Sequence, residues 1–146
     1  MKVKLSPPNA HDIHYLIDLP KFMEIVDQDD LARRKSKTIR NAYHQYWFDD
    51  ADSAFPSFDS PVFYLDNGVA RFINGRHRTL MLLRHLDCLP MALASLDGCP
   101  FMTDQPSSAS VSALREISIR RINNQETFEF PCLPIVYLGF DQNIGK

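Results

Sequence analysis

The sequence lacks the features that mark several common classes of protein. Its three cysteines include no C-x-x-C pair, so it shows no zinc pattern and no disulfide framework. A formal net charge of −2 gives no global basic field, so any site for a polyanion must be local. No apolar run reaches the roughly 18 residues of a membrane-spanning helix. The N-terminus lacks the apolar core of a signal peptide, and we expect a cytoplasmic protein with no membrane partner.

The composition is that of a folded chain. Hydrophobic residues make up 45% of the sequence and aromatic residues 11%, which is enough for a packed core. A chain of 146 residues fits one domain, and no internal repeat or low-complexity segment divides it. We therefore expect a single domain over residues 1–146.

The first half of the chain gives weak structural patterns. Residues 2–5 alternate and predict a short strand, whereas residues 12–26, interrupted by Pro20, predict a short helix or turn and another short segment. Asp29 or Asp30 can cap a helix, and apolar residues follow at helical spacing: Ile39, Ala42, Tyr43, Tyr46 and Trp47. The acidic residues 48–61 predict a loop.

The middle and end of the chain give clearer patterns. Two β-rich runs flank Asn67-Gly68, the preferred pair for a type I′ hairpin turn. A helix should follow Gly75 and end before Pro90, which opens an apolar strand. A last helix is predicted from residue 112, with strands at 117–122 and 133–140. This order predicts an α+β (mixed α/β) domain.

An unusual group of residues stands where the helix after the hairpin begins. Gly75-Arg76-His77-Arg78 places cationic or titratable side chains at the positive end of a helix dipole, which is mildly unfavourable. An anion would remove the conflict, because backbone N–H groups and side-chain donors would then meet it together. Our hypothesis is that this anion is a phosphate. The alternative is a solvated helix start with surface arginines.

The hairpin, the Gly75 motif and the strand that opens at Pro90 resemble the nucleotide-binding core of the ParB/sulfiredoxin superfamily. In that superfamily a hairpin leads into a G-x-H-R or G-x-R-R motif at a helix start. The resemblance implies a small mixed sheet with flanking helices, in which Gly75 allows a phosphate to approach. It also implies that His77 and Arg78 contact the phosphates of ATP or another nucleotide.

A second match lies upstream of the motif. Sulfiredoxins carry a helical Lys-x-x-Ser pair that also meets the nucleotide, and Lys35 and Thr38 keep that spacing. Residues three apart share a helix face, so both could point at one ligand. A later hydroxyl of the family corresponds to Ala42. For the basic run 33–40 a solvated helix face is the alternative.

Two members of the superfamily are excluded by the sequence. The catalytic cysteine of sulfiredoxins corresponds to Arg76, so the chain is not a sulfinic acid reductase. A ParB protein would need a helix-turn-helix region and a dimerisation domain, for which 146 residues leave no room. The chain most resembles plasmid fertility inhibition factors. That resemblance implies inhibition of conjugative plasmid or T-DNA transfer, through ATPase or other NTPase activity, DNase activity, or both.

Catalysis would require more than a phosphate clamp. His77 could act as a general base, and Arg76 and Arg78 could stabilise charge on phosphoryl oxygens. A metal such as Mg²⁺ would need carboxylates, and its ligands stay open among seven candidates: Asp49, Asp50, Asp52, Asp66, Glu116, Glu126 and Glu129. Whether the chain is an enzyme is therefore open.

A non-catalytic function is the alternative. The same fold could bind a component of a conjugation or secretion system, or a toxin. DNA contact by Arg115, Arg120 and Arg121 is the less favoured reading of three ordinary surface arginines. His11 and His14 have no third metal ligand nearby in sequence, and the aromatic residues around Trp47 are expected to be core rather than base-stacking residues.

Overall fold

The computed structural model describes residues 2–6, 12–32, 43–44, 47–49, 56–99, 105–123, 126–131 and 135–136. Within these residues the chain is a mixed α+β structure, which confirms the predicted fold class. The described strands are β1 Lys2–Ser6, β2 Ile13–Asp18, β3 Tyr43–His44, β4 Phe48–Asp49, β5 Ser57–Asp59, β6 Val62–Asp66, β7 Val69–Asn74, β8 Cys88–Leu96, β9 Ser118–Ile122, β10 Thr127–Glu129 and β11 Ile135–Val136. The described helices are α1 Leu19–Ile25, α2 Gln28–Ala32, α3 Arg76–Leu82 and α4 Ser108–Ile117.

Two sheets and one strand pair organise the described residues. The larger sheet has the order β7-β6-β8-β2-β9, in which β6 and β8 are parallel and the other neighbours antiparallel. The second sheet has the order β10-β1-β5-β4, and β3 pairs with β11. Buried side chains from both sheets form one hydrophobic cluster. It includes two groups of contacting aromatic rings: Phe22, Phe63 and Phe72 in one, Phe48, Phe58 and Phe130 in the other.

The predicted hairpin is confirmed in detail. Asn67 and Gly68 have positive φ angles of 51° and 85°, as a type I′ turn requires. The turn pairs β6 with β7, from Asp66 opposite Val69 to Val62 opposite Asn74. This hairpin delivers the chain to Gly75 and α3, while β8 returns parallel to β6.

The expectation for residues 12–26 was right about a short helix and missed the strand that precedes it. Residues 12–26 contain a six-residue strand before the short helix. Buried and half-buried residues do not alternate regularly along β2, so the strand gives no simple period-two pattern. Asp18 caps α1 by accepting a hydrogen bond from the Lys21 backbone, and Pro20 lies in the first turn, where its missing N–H costs nothing.

The acidic loop and the helix before it also differ from expectation. Residues 48–61 hold β4 and β5, which are too short to produce a periodic pattern. The helix expected from Asp29 is described only as α2, and Tyr43 lies in a strand rather than in that helix. Trp47 and Phe48 are buried, as expected of core residues. Residues 33–42 lie outside the described residues.

The later elements follow the prediction with shifted boundaries. The helix after Gly75 ends at Leu82, and the next strand begins at Cys88, two residues before Pro90. The last helix begins at Ser108, where the Ser107 hydroxyl accepts a hydrogen bond from the Ser110 backbone. β9 matches the strand predicted at 117–122, β10 was not predicted, and of residues 133–140 only β11 is described.

Candidate functional site

Gly75 joins the hairpin to α3 in a left-handed conformation with φ of 93°. A Cβ atom at this position would lie 2.6 Å from Pro61 Cβ, 2.7 Å from Pro61 Cα and 2.8 Å from Arg78 Nη2. Both the backbone angle and the close approach of Pro61 exclude a side chain here. Packing within the chain is therefore sufficient to require glycine.

Arg76 is held by a carboxylate from α2. Its Nη2 atom lies 2.8 Å from Asp30 Oδ1, and the Asp30 side chain is only 8% exposed. The other Asp30 oxygen accepts a hydrogen bond of 2.7 Å from the Phe72 backbone. The Arg76 guanidinium also lies over the Phe72 ring, 5.9 Å from its centroid. One buried carboxylate thus joins α2, the end of β7 and the start of α3.

Arg78 and His77 point to different neighbours. Arg78 is buried, and its Nη1 atom lies 3.6 Å from Asp59 Oδ2, a carboxylate whose side chain is 49% exposed. The His77 ring is half-buried and meets the buried Trp47 edge to face, with 5.9 Å between ring centroids. The motif therefore lies between β5, β7, α2 and Trp47.

Carboxylates of the same chain balance the unfavourable positive charges at the start of α3. Asp30 faces Arg76 closely, and Asp59 faces Arg78 at longer range from a more exposed position. Sequence reasoning singled out neither carboxylate as a motif partner. Asp30 and Arg76 are 46 residues apart, and only the docking of α2 beside β7 brings them together. No local pattern could have identified the pair.

Lys35 and Thr38, the second half of the predicted phosphate site, lie outside the described residues. The described residues on either side of that segment both reach the motif. Asp30, in the helix before it, pairs with Arg76, and Trp47, after it, contacts His77.

The carboxylates considered for a metal are dispersed where they are described. Glu126 pairs with Arg120 through a 2.9 Å contact, and this hydrogen-bonded partner lowers the pKa of Glu126. Asp66 lies 3.7 Å from Arg71, and Glu116 is exposed on α4. Asp50 and Asp52 lie outside the described residues. Within the described part of the chain, no group of three or more His, Cys, Asp or Glu side chains is placed to hold a metal ion.

The remaining candidates have structural surroundings. Arg120 is tied to Glu126, and Arg115 and Arg121 are exposed. His14 is buried in β2, and neither ring nitrogen has a hydrogen-bond partner among the described residues; burial lowers its pKa to about 4. Cys88 and Cys99 are thiols. None of the described helices is long and apolar enough to cross a membrane.

The start of α3 brings backbone and side-chain hydrogen-bond donors together. Because Gly75 has no side chain, it provides no side-chain hydrogen bond to the first backbone N–H groups of α3. The same turn carries the half-buried His77 imidazole and the buried Arg78 guanidinium, whose Nη1 atom lies 3.6 Å from Asp59 Oδ2. Comparisons with protein-family models, with curated protein sequences and with solved structures find no match to this chain.

Proposed function

We propose that the chain is a phosphate- or nucleotide-binding protein of the ParB/sulfiredoxin type that inhibits conjugative transfer of plasmid or T-DNA. The observation that carries the proposal is the unit of hairpin, Gly75, α3 and returning strand, with β8 parallel to β6. This arrangement presents His77 and Arg78 at one helix start, as the motif of the superfamily does. Lys35 and Thr38 complete the proposed site from the preceding segment.

The enzymatic form of this proposal gives His77 the role of general base and Arg78 that of charge stabiliser. A phosphoanhydride or phosphodiester bond would be hydrolysed with ATP or DNA as substrate and Mg²⁺ as the metal. The His77 ring is only half-buried, so part of it is accessible to a substrate, and it meets the Trp47 ring in a T-shaped contact with 5.9 Å between the centroids.

The non-catalytic form is favoured by a different observation. Arg76 and Arg78 both face carboxylates of the chain, so their charges also stabilise the fold. In this form the protein binds a component of the conjugation or secretion machinery, or a toxin, and nucleotide is not turned over.

Nucleotide binding can be measured directly, because Trp47 is the sole tryptophan and contacts His77. We expect ATP, GTP or pyrophosphate with Mg²⁺ to change the Trp47 fluorescence in a saturable way. His77→Gln should weaken binding about tenfold, as loss of a hydrogen bond to a charged group does. The matched control is His85→Gln, beyond the end of α3, which should bind as the wild type does. Equal affinities in the two variants, or no response of the wild type, would contradict phosphate binding at this site.

The two forms are separated by turnover. Purified protein is incubated with ATP or plasmid DNA and Mg²⁺, and the same variants are tested for inhibition of conjugation in cells. Turnover that is lost in His77→Gln supports the enzyme. Full inhibition without turnover, retained in His77→Gln, supports a binding protein that uses another surface.

A further inference from the structure

A carboxylate that was not among the sequence candidates borders the motif at Arg78. The Asp59 side chain is 49% exposed, and its Oδ2 atom lies 3.6 Å from Arg78 Nη1, beyond hydrogen-bond distance. Among the described residues the Asp59 carboxylate accepts no hydrogen bond, whereas Asp30, the carboxylate that faces Arg76, uses both of its oxygens. Asp59 therefore keeps its oxygens available to a ligand.

The chain segment that follows Asp59 also contacts the glycine of the motif. A Cβ atom at Gly75 would lie 2.6 Å from Pro61 Cβ and 2.8 Å from Arg78 Nη2, so this segment and the guanidinium border Gly75 together. Between Asp59 and Pro61, Ser60 is fully buried, and its hydroxyl has no hydrogen-bond partner among the described residues. A buried polar atom without a partner requires an explanation, and an ion with its bound water is one.

The Asp59 carboxylate is unfavourable for a bare anion bound to Arg78. A phosphate oxygen at a normal hydrogen-bond distance of about 2.9 Å from Arg78 Nη1 would lie within about 6.5 Å of Asp59 Oδ2, because that carboxylate oxygen is itself 3.6 Å from Nη1. Two negative charges at this separation repel each other, and the Arg78 side chain is only 8% exposed, so water screens them incompletely. A metal-free phosphate would therefore have to displace Asp59 or bind against its charge.

A divalent cation would reverse this effect. Mg²⁺ in proteins is usually bound through one or two carboxylates together with the phosphates of a substrate, and it keeps several water ligands. A cation between the phosphate and Asp59 would attract both and so remove their repulsion. Its water ligands would also offer hydrogen bonds of the kind that the Ser60 hydroxyl lacks.

We propose that Asp59 makes the site selective for a phosphate group that carries Mg²⁺, and that its carboxylate is a ligand of that ion. The ligand class is then the Mg²⁺ complex of a di- or triphosphate rather than the free anion. One carboxylate and the phosphate oxygens suffice for such a site, so it does not need the group of three side chains that is absent among the described residues. This inference rests on the proposed phosphate binding at Arg78.

Calorimetric titration of the full-length protein with inorganic pyrophosphate, in MgCl₂ or in EDTA, tests the selectivity. We expect the wild type to bind pyrophosphate about tenfold more tightly with Mg²⁺ than without it. In Asp59→Asn, which keeps the size of the side chain and removes its charge, that ratio should fall to about twofold, because the free anion is no longer repelled and the metal loses a ligand. The matched control is Asp66→Asn, at the other end of the hairpin, where the carboxylate is 56% exposed and lies 3.7 Å from Arg71; it should keep the wild-type ratio.

The metal itself is followed with Mn²⁺ in place of Mg²⁺. Electron paramagnetic resonance in the presence of pyrophosphate should show Mn²⁺ bound to the wild type and to Asp66→Asn. Binding to Asp59→Asn should be about fivefold weaker, since one ligand of the ion is lost.

The outcomes separate this inference from the phosphate site on which it rests. The inference alone is overturned if Asp59→Asn binds pyrophosphate with the wild-type ratio. It is also overturned if this variant gains affinity equally with and without the metal, because Asp59 would then only compete with the anion. Absence of pyrophosphate binding in every protein under both conditions would contradict the phosphate site and this inference together.

Discussion

At the scale of single residues, glycines with similar backbone angles have unequal surroundings. Gly75 and Gly98 have φ angles of 93° and 77°, both in the left-handed region. A Cβ at Gly75 would collide with Pro61, whereas a Cβ at Gly98 meets nothing within 4 Å. Substitutions at these two glycines therefore separate the destabilisation due to the backbone angle from that due to close packing.

Gly75→Ala should lower the free energy of unfolding by about 3 kcal/mol, since backbone strain and a steric clash add. Gly98→Ala should lower it by about 1 kcal/mol, the cost of the backbone angle alone. Urea denaturation followed by circular dichroism measures both. Equal losses would mean that Pro61 does not restrict the position.

The sequence predicted the conformations that neighbouring residues determine, but not the contacts between residues far apart in the chain. The Asn67-Gly68 turn and the helix start at Gly75 were predictable because their conformations are set by adjacent residues. The partners of Arg76 and Arg78 were not, because Asp30 and Asp59 meet them only through tertiary packing. Lys35 and Thr38 remain predictions.

At the scale of elements, α2 and the residue that precedes it hold the hairpin through two carboxylates. Asp27 binds Arg71, and Asp30 binds Arg76 and the Phe72 backbone. The two ion pairs differ in burial: the Arg71 and Asp27 side chains are 36% and 19% exposed, whereas those of Arg76 and Asp30 are 23% and 8% exposed. The difference allows one pair to serve as the control for the other.

A double-mutant cycle with Asp30→Asn and Arg76→Met should give a coupling energy of about 2 kcal/mol in the free energy of unfolding. The matching cycle with Asp27→Asn and Arg71→Met should give a smaller coupling, because solvent screens the more exposed pair. Chemical denaturation of the six variants and the wild type measures both cycles. A larger coupling for the exposed pair would contradict this account.

At the start of α4 the Asp97 carboxylate accepts hydrogen bonds from the Asn67 and Ser107 backbones and from the Ser110 hydroxyl, and this network should respond to acid. Three hydrogen bonds donated to the Asp97 carboxylate hold its pKa far below the usual range for aspartate. Since the folded-state pKa is the lower one, the stabilisation is present above about pH 4 and is lost as the pH falls further.

Asp97→Asn should therefore lower the melting temperature at pH 7 and make it less sensitive to pH below 4. Glu24→Gln, at an exposed position on α1, is the control and should leave both unchanged. Thermal unfolding between pH 2 and 7 measures the effect. An acid dependence identical to that of the wild type would show that the network does not depend on the Asp97 charge.

At the scale of the whole molecule, one buried hydrophobic cluster includes side chains of both sheets. His14 is buried in β2, in the larger sheet. Its folded-state pKa of about 4 is below the usual histidine value of 6.5, so the unfolded chain takes up the proton first. Acid therefore favours unfolding, and the loss of stability begins near pH 6.5 and levels off below about pH 4.

The wild type should lose about 3 kcal/mol of unfolding free energy between pH 7 and pH 4 through this residue, because each pKa unit corresponds to about 1.4 kcal/mol. His14→Leu should remove most of that decline, whereas His85→Gln, at an exposed position, should not. Urea denaturation at each pH provides the measurement. The same decline in His14→Leu would assign the acid sensitivity to other groups.

The strand order also determines when each sheet can form as the chain emerges from the ribosome. β1 pairs with β5 and β10, and β2 pairs with β8 and β9, so both early strands have partners made much later. The β6–β7 hairpin, by contrast, completes its ladder as soon as it leaves the exit tunnel. Nascent chains halted before β8 would leave both β2 and the β6 edge of the hairpin unpaired, a state that a chaperone able to bind extended apolar segments would recognise.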